Sequence, residues 1–487
     1  MFLERFYDDN LAQASYLIGA ETTDAAVVID PNREIEQYLR VAAAKGLRIT
    51  HVTETHIHAD FVSGARDLAR NTGAKLLLSG EGGTDWQYRL SAEDAAVLLM
   101  DGDSFLVGEL KFEVLHTPGH TPEHLVFFVT DSAKADRPMG VFTGDFLFVG
   151  DVGRPDLLER VADVRGSMES SARSLFQSLR RMRAYPDYLQ VWPGHGAGSA
   201  CGKELGAVPS STLGYERLFN WAFSVEREDD FVEMVLAGQP EPPRYFARMK
   251  QVNRDGPPPR GNEPPRQAID ARTVAELLDA GSAVVVDSRP SAQFAAGFIP
   301  GTLNIPAGTS FTTWAGSLLP PDRDVLLLVG EDGEAGWSRV RTLWRWLSSV
   351  GIDRVSAWSG GALFDQWRRD GRELASLPTV DAPTLAAGAS AAQIVDVRGD
   401  AEWESGHIPG AVHLFLGDLP DESARLSRDR PIVVACQGGT RASIAASLLR
   451  AHGFSDVTTF PGGLTEWRRL GFPVESNNAA SAPASSS

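Results

Sequence analysis

The chain is 487 residues long, which at about 150 residues per domain suggests roughly three domains. Its 43% apolar and 23% charged content is that of a globular protein, and no run approaches the ~20 apolar residues of a bilayer span. The 46 basic against 64 acidic residues leave a net charge of −18, which argues against nucleic acid and anionic membranes as partners.

The opening residues, Met1 to Asp9, lack the basic-then-apolar order of a secretory signal. Only two cysteines occur, Cys201 and Cys436, far apart in sequence, and both are expected as free thiols in a cytoplasmic protein. The first segment, residues 1–240, mixes strand-like runs (Ala25–Ile29, Lys75–Leu78, Leu125–Val129) with helical stretches such as Ser167–Arg183. Four clusters within it place metal-ligating side chains just past a strand-like run, beside Gly or Pro. Thr55-His56-Ile57-His58-Ala59-Asp60-Phe61 follows Arg48–Thr53, and Thr117-Pro118-Gly119-His120 follows Phe112–Leu115. Thr143-Gly144-Asp145 ends a run starting near Met139, and Pro193-Gly194-His195 ends another. Loops at one edge of a packed sheet can converge, and a lone His-x-His is weak where four such clusters in order are not. Two histidines with one carboxylate form the ligand set associated with non-haem Fe(II) and O₂.

His51, His116 and His124 have no comparable setting and read as structural. Gly196–Lys203 is a flexible loop that carries Cys201 beside the proposed site, either filling a gap or meeting substrate. Arg154, in Gly150–Asp156, is placed to meet an anionic substrate tail or to form a surface salt bridge.

Residues 241–264 are rich in proline and read as a linker. Beyond them the chain repeats itself. Val284–Arg289 matches Ile394–Arg398 at an offset of 109 residues (287 to 396), as does Ile299-Pro300-Gly301 with Ile408-Pro409-Gly410. Each copy, 265–375 and 380–475, alternates buried strands with amphipathic helices, as α/β modules with a parallel sheet do. Residues 477–487 contain only Ala, Ser, Asn and Pro and read as a disordered tail.

In the second copy Cys436-Gln437-Gly438-Gly439-Thr440-Arg441 lies between the strand Ile432–Ala435 and a helix beginning near Ala442. A thiol on a Gly-rich turn at a helix N-terminus faces outward amides and the positive end of the dipole. Those groups stabilise a thiolate and an attached anionic sulfur, and Arg441 adds a fixed positive charge. In the first copy, Gly330-Glu331-Asp332-Gly333-Glu334 stands where the thiol is expected, with no nucleophile and three repelling acids.

The four clusters of the first segment resemble the metallo-β-lactamase superfamily, whose fold is an αββα sandwich with metal at the strand ends. Hydrolytic members commonly carry a second histidine directly after the aspartate, to hold a second metal; here that position is Phe61. The pattern is closer to the persulfide dioxygenase branch. That resemblance implies one Fe(II) per chain on His56, His120 and Asp145, with His58, Asp60 and His195 orienting ligands or bound solvent. Spacing alone leaves open whether His58 binds the metal. The Cys201 loop is similar to that of bacterial dioxygenase–rhodanese fusion proteins, which favours a substrate-binding role.

Residues 380–475 resemble rhodanese sulfurtransferases, with Cys436 and Arg441 as their catalytic pair, and 265–375 resemble an inactive rhodanese acting as spacer or docking surface. The expected chain is therefore an α/β multidomain protein, an αββα sandwich followed by two α/β rhodanese-like modules. Its expected function is oxidation of small-molecule persulfides by O₂ to sulfite, with thiosulfate formed through Cys436. Homo-oligomers are compatible with the sequence. The rivals are a zinc-dependent thioester hydrolase of glyoxalase II type and a non-catalytic sulfur-carrier scaffold.

Overall fold

The computed structural model describes residues 1–487 apart from 92–93, 158, 160–165, 204, 389–390 and 477–487, so the expected tail lies outside the described residues. Residues 1–260, with 348–351, form one compact unit, and the remaining residues form a second.

Two six-stranded sheets build the first unit. One runs β1 (Phe2–Asp8), β2 (Gln13–Gly19), β3 (Ala25–Ile29), β4 (Arg48–Thr53), β5 (Lys75–Ser79), β6 (Val97–Leu99). The other contains β7 (Ser104–Val107), β8 (Leu110–His116), β9 (Leu125–Asp131), β10 (Gly140–Gly144), β11 (Gln190–Pro193) and β12 (Ser211–Thr212), ordered from β12 back to β7. Successive residues of a strand point to opposite faces, and here both faces are buried. Tyr16, Ile18, Val27 and Ile29 meet Phe112, Phe127 and Phe142 in a core shared by the two sheets. Their neighbours Leu17, Ala26 and Val28 pack outward on the helices Ile35–Ala44 and Ala65–Thr72. Val126, Phe128 and Val141 do the same against the helix Ser167–Met182. The near-continuous apolar strands of the sequence thus follow from a four-layer αββα stack.

The linker reading of 241–264 is corrected. Residues Phe246–Asp255 form a helix of the first unit, with Phe246, Met249 and Asn253 buried. The prolines bracket this helix: Pro240, Pro242 and Pro243 precede it, and Pro257–Pro259 follow Gly256, where φ is +101°.

Within the second unit, both modules have the same four-stranded parallel sheet. The first orders β13 (Ala283–Asp287), β14 (Leu303–Asn304), β15 (Asp324–Leu328) and β16 (Val355–Ser359) as β14-β13-β15-β16. The second repeats the pattern as β18-β17-β19-β20, with β17 Gln393–Asp396, β18 Val412–His413, β19 Ile432–Ala435 and β20 Val457–Thr459. Register refines one reading. Asp287 pairs Leu328 and Asp396 pairs Ala435, so the residue equivalent to Cys436 is Val329, one before the acidic stretch. Asp332 accepts the Ala362 amide at 3.0 and 3.1 Å at the head of the helix Ala362–Arg369. Among the described residues, no helix is long and apolar enough to cross a membrane.

Candidate functional site

The four sequence clusters converge at the strand ends of the first unit. Nitrogen and oxygen donors of His56, His120 and Asp145 lie within 4.8 Å of one another, all buried. Asp145 Oδ2 stands 3.5 Å from His120 Nε2, 3.9 Å from His56 Nε2 and 3.4 Å from His195 Nε2. Donors about 2.1 Å from one divalent ion sit roughly 3–3.5 Å apart, so the spacing fits a shared cation. Both Asp145 carboxylate oxygens, His195 Nε2 and Asp60 Oδ2 are buried without a hydrogen-bond partner, the arrangement a cation would satisfy. Asp60, His195 and Cys201 form a second buried donor group alongside.

Each proposed ligand is aimed by its other atoms. His120 Nδ1 donates to the Arg154 carbonyl (3.0 Å), and His195 Nδ1 to the Ala12 carbonyl (3.0 Å). Thr55 donates its hydroxyl proton to Asp30 Oδ2 (2.9 Å), leaving its oxygen to accept from His56 Nδ1 (2.9 Å). All three rings therefore turn an unprotonated Nε2 towards the centre. Burial, with neighbouring imidazoles, holds the His56 pKa well below its ordinary value, and burial lowers that of His120. Neutral imidazole is the metal-binding form. The Asp145 amide donates to His124 Nε2 (3.1 Å), whose Nδ1 bonds Thr117 Oγ1 (2.9 Å). His124 thus orients the carboxylate strand end, a structural histidine in the sense expected. Gly144, at φ +48°, makes the sharp exit before Asp145; a Cβ there would stand 2.4 Å from Thr55 Oγ1.

His58 is outside the three-donor group. Its Nε2 is 3.1 Å from Asp30 Oδ1; burial disfavours the charged ring, but Asp30 prevails and raises the pKa to about 9. Phe61 is fully buried, its ring centroid 4.4 Å from that of His58. Of the two settings expected for Arg154, the structure shows the salt bridge, buried rather than at the surface. The residue is fully buried, paired in a two-point contact with Asp156 (2.7 and 2.6 Å), and donates to the Ala200 carbonyl, bracing the Cys201 loop. The Cys201 thiol is itself buried, and burial with the Asp145 and Asp60 carboxylates pushes its pKa well up.

Three residues that hold the metal loop escaped sequence reasoning. Asp30, at φ +52° after β3, accepts the Thr55 amide at 2.6 Å. Glu123 accepts the Ile57 amide at 2.8 Å, and burial raises its pKa to about 7. Asn253 donates to the His58 and Phe61 carbonyls, both at 2.7 Å, and accepts the Ser63 amide. For Glu123, the phrase His120-Thr121-Pro122-Glu123-His124 offered a signal; for Asn253 nothing local did.

The second centre lies in the second unit. The Gly439 amide donates to Cys436 Sγ (3.1 Å), with Gly439 at φ +95° packed against the Pro461 carbonyl at the head of the helix Thr440–Ala451. The Leu464 and Thr465 amides hold the Cys436 and Gln437 carbonyls. Arg441 closes the loop as expected, but through two bonds to Glu402 (2.6 and 2.7 Å), which offset its charge. Both cysteines are free.

Comparison with known proteins agrees with this architecture. The metallo-beta-lactamase superfamily model matches residues 8–195, and the rhodanese-like domain model matches 270–370 and 382–470. The crystal structure of a metallo-beta-lactamase from Staphylococcus aureus subsp. aureus COL is 42% identical, with a TM-score of 0.66, over 74% of this chain and 99% of that one. The hydroxyacylglutathione hydrolase of Rhodospirillum rubrum is 32% identical over 181 residues, spanning 37% of this chain and only 60% of that protein. Persulfide dioxygenase ETHE1, mitochondrial, of Bos taurus is 26% identical over 246 residues, spanning 50% of this chain and 84% of that protein.

Proposed function

The chain belongs to the metallo-beta-lactamase superfamily and carries two rhodanese-like domains, and from that premise we propose that it is an iron-dependent persulfide dioxygenase with sulfurtransferase activity. One observation carries the reading: the chain that gathers two histidines and a carboxylate in a buried site also presents a thiol on a rhodanese loop. His56, His120 and Asp145 would hold one Fe(II), which would supply positive charge and bring persulfide and O₂ together. The net reaction is RSSH + O₂ + H₂O → RSH + SO₃²⁻ + 2H⁺. Asp30, through Thr55, and His124 keep the ligands aimed. Phe61 and Phe148, both fully buried, set their rings beside His58 and His195 (centroids 4.4 and 6.1 Å apart), an apolar surround for the ligands.

In the second centre the Cys436 thiolate attacks the outer sulfur of a persulfide, releasing RS⁻ and leaving Cys436-SSH. After deprotonation, sulfite attacks that outer sulfur, forms thiosulfate and restores the thiolate. The Gly439 amide stabilises negative charge at Cys436 in both steps.

A second reading, a zinc-dependent thioester hydrolase, is favoured by the donor group Asp60, His195 and Cys201, which offers a second cation a sulfur donor where Phe61 offers nothing. It is favoured too by the hydroxyacylglutathione hydrolase likeness. The deciding experiment measures O₂ uptake, sulfite and thiosulfate with a panel of persulfides, and hydrolysis of a hydroxyacylglutathione thioester, on protein assayed for iron and zinc. Thioester turnover by a zinc form that consumes no O₂ would select the second reading.

A further inference from the structure

The first rhodanese-like module has no thiol, yet it reaches the thiol of the second. A cavity of about 340 Å³ at Cys436 is lined by Cys436, Gly438, Thr440 and Arg441 and, from the first module, by Ser310 and Trp314. Ser310 and Trp314 are at the start of the helix Phe311–Leu318, half-buried, and the Trp314 ring lies 6.2 Å from that of Phe415 in the second module. The placement is fixed by a buried polar joint. Asn304, at the end of β14, accepts from Ser443 Oγ (2.8 Å), and its amide donates to Ser447 Oγ (2.9 Å). Ser443 and Ser447 are one turn apart on Thr440–Ala451, the helix whose N-terminus holds the sulfur loop. The Asn304 side-chain amide spends its two protons on the Asp287 and Arg289 carbonyls, so every polar atom of the joint is satisfied.

We propose that the first module forms one wall of the sulfur-transfer pocket, with Trp314 as a specificity-determining contact for the organic body of a persulfide donor and Ser310 as a polar contact beside it. The chemistry of the lining assigns the parts. The amides of the Gly438–Gly439 turn and the Thr440 hydroxyl suit the anionic sulfur, while Arg441 is committed to Glu402. The indole is the one large apolar surface in the lining, and it suits the carbon skeleton of a thiol carrier rather than a small inorganic anion. The missing nucleophile is then no loss: the module keeps its fold because it is part of a neighbour's site.

The proposal rests on the sulfur-transfer half of the proposed function, and the test separates the two. In the full-length protein, Trp314→Ala should raise KM for glutathione persulfide by about three- to tenfold, the range for losing one aromatic contact. KM for thiosulfate as donor should hold, Trp314→Phe should restore most of the loss, and Ser310→Ala should give a smaller shift of the same selectivity. Alkylation of Cys436, located by peptide mass, should speed several-fold with fluorescein maleimide in Trp314→Ala and change little with iodoacetamide. Equal losses with both donors, a Trp314→Phe protein as impaired as Trp314→Ala, or alkylation insensitive to reagent size would overturn the proposal. A wild-type protein that forms no Cys436 persulfide defeats the sulfur-transfer reading instead, while the alkylation comparison still decides whether the first module walls the thiol.

Discussion

Asp30→Asn tests whether a proton held away from the centre decides metal affinity. Asp30 accepts three hydrogen bonds, from the Thr55 amide (2.6 Å), Thr55 Oγ1 (2.9 Å) and His58 Nε2 (3.1 Å). Asparagine tolerates the left-handed backbone at this position and keeps one oxygen for the Oδ1 bonds, so the fold should survive. Its amide must then donate where Oδ2 accepted. The Thr55 hydroxyl accepts that proton and turns its own to His56 Nδ1, which forces the remaining imidazole proton onto Nε2, facing the metal. Restoring the binding tautomer breaks one buried hydrogen bond and leaves a donor unpaired, a cost of about 1–3 kcal/mol. Metal affinity should fall by roughly 10–100-fold, the range seen when an outer partner of a ligating histidine is lost. Competition between protein and a chelator for Co²⁺ or Fe²⁺ measures the shift, with circular dichroism to show the fold intact. A wild-type chelator midpoint in Asp30→Asn, beside a His120→Ala protein that loses its metal, would refute the chain from Asp30 through Thr55 to His56.

Three further outcomes follow from the second unit. Cys436→Ser should retain O₂ uptake and accumulate sulfite in place of thiosulfate, since a hydroxyl forms no persulfide; wild-type thiosulfate production, corrected for the spontaneous reaction, would refute it. Asn304→Ala removes three buried side-chain hydrogen bonds at about 1 kcal/mol each, so urea unfolding of the full chain should show the second unit weakened by about 2–3 kcal/mol. Glu402 is raised by burial but held lower overall by Arg441, so its pairing stabilises the fold above the ordinary glutamate value of 4.5 and is lost as pH falls through the lowered value. Glu402→Gln should make that acid limb shallower in thermal melts from pH 6 to pH 3 (about the range of a carboxylate titration) and lower the melting temperature most at the upper end of that range.

The metal residues were legible because strand ends and their Gly and Pro neighbours are local features, and a loop past a strand has few directions in which to send a side chain. The four layers came from the family resemblance, and runs such as Ala25–Ile29, apolar on both faces, agree with it because a doubly covered sheet requires them. Residues whose partners are remote were not legible. Asp30, Glu123 and Asn253 act across 25, 66 and about 190 positions of chain, and nothing in their immediate sequence reports a bond to a distant carbonyl or amide. Arg154 stayed open between two readings because a guanidinium beside Gly and Asp looks the same in sequence whether it meets a ligand or, as here, its neighbour Asp156. The proline-rich passage misled because prolines stop a helix at either end as readily as they stiffen a linker, and ten residues of ordinary helix formers lie between the two groups.

That short helix also sets where the first unit can be cut. A fragment ending at residue 195, where the superfamily match stops, or at 240, where the prolines begin, would be excised without Asn253. The carbonyls of His58 and Phe61 would lose their donor, and the backbone of the His56–Phe61 cluster would be released at the point where it turns. The fragment ending at 240 keeps every strand of both sheets and should still bind metal poorly, and a loss of activity on truncation would then be misread as dependence on the rhodanese modules. A cut after residue 260 keeps the Asn253 brace but still removes residues 348–351 of the first unit, among them the Ser349 carbonyl that accepts the Val62 amide (2.7 Å), so metal content has to be measured beside activity.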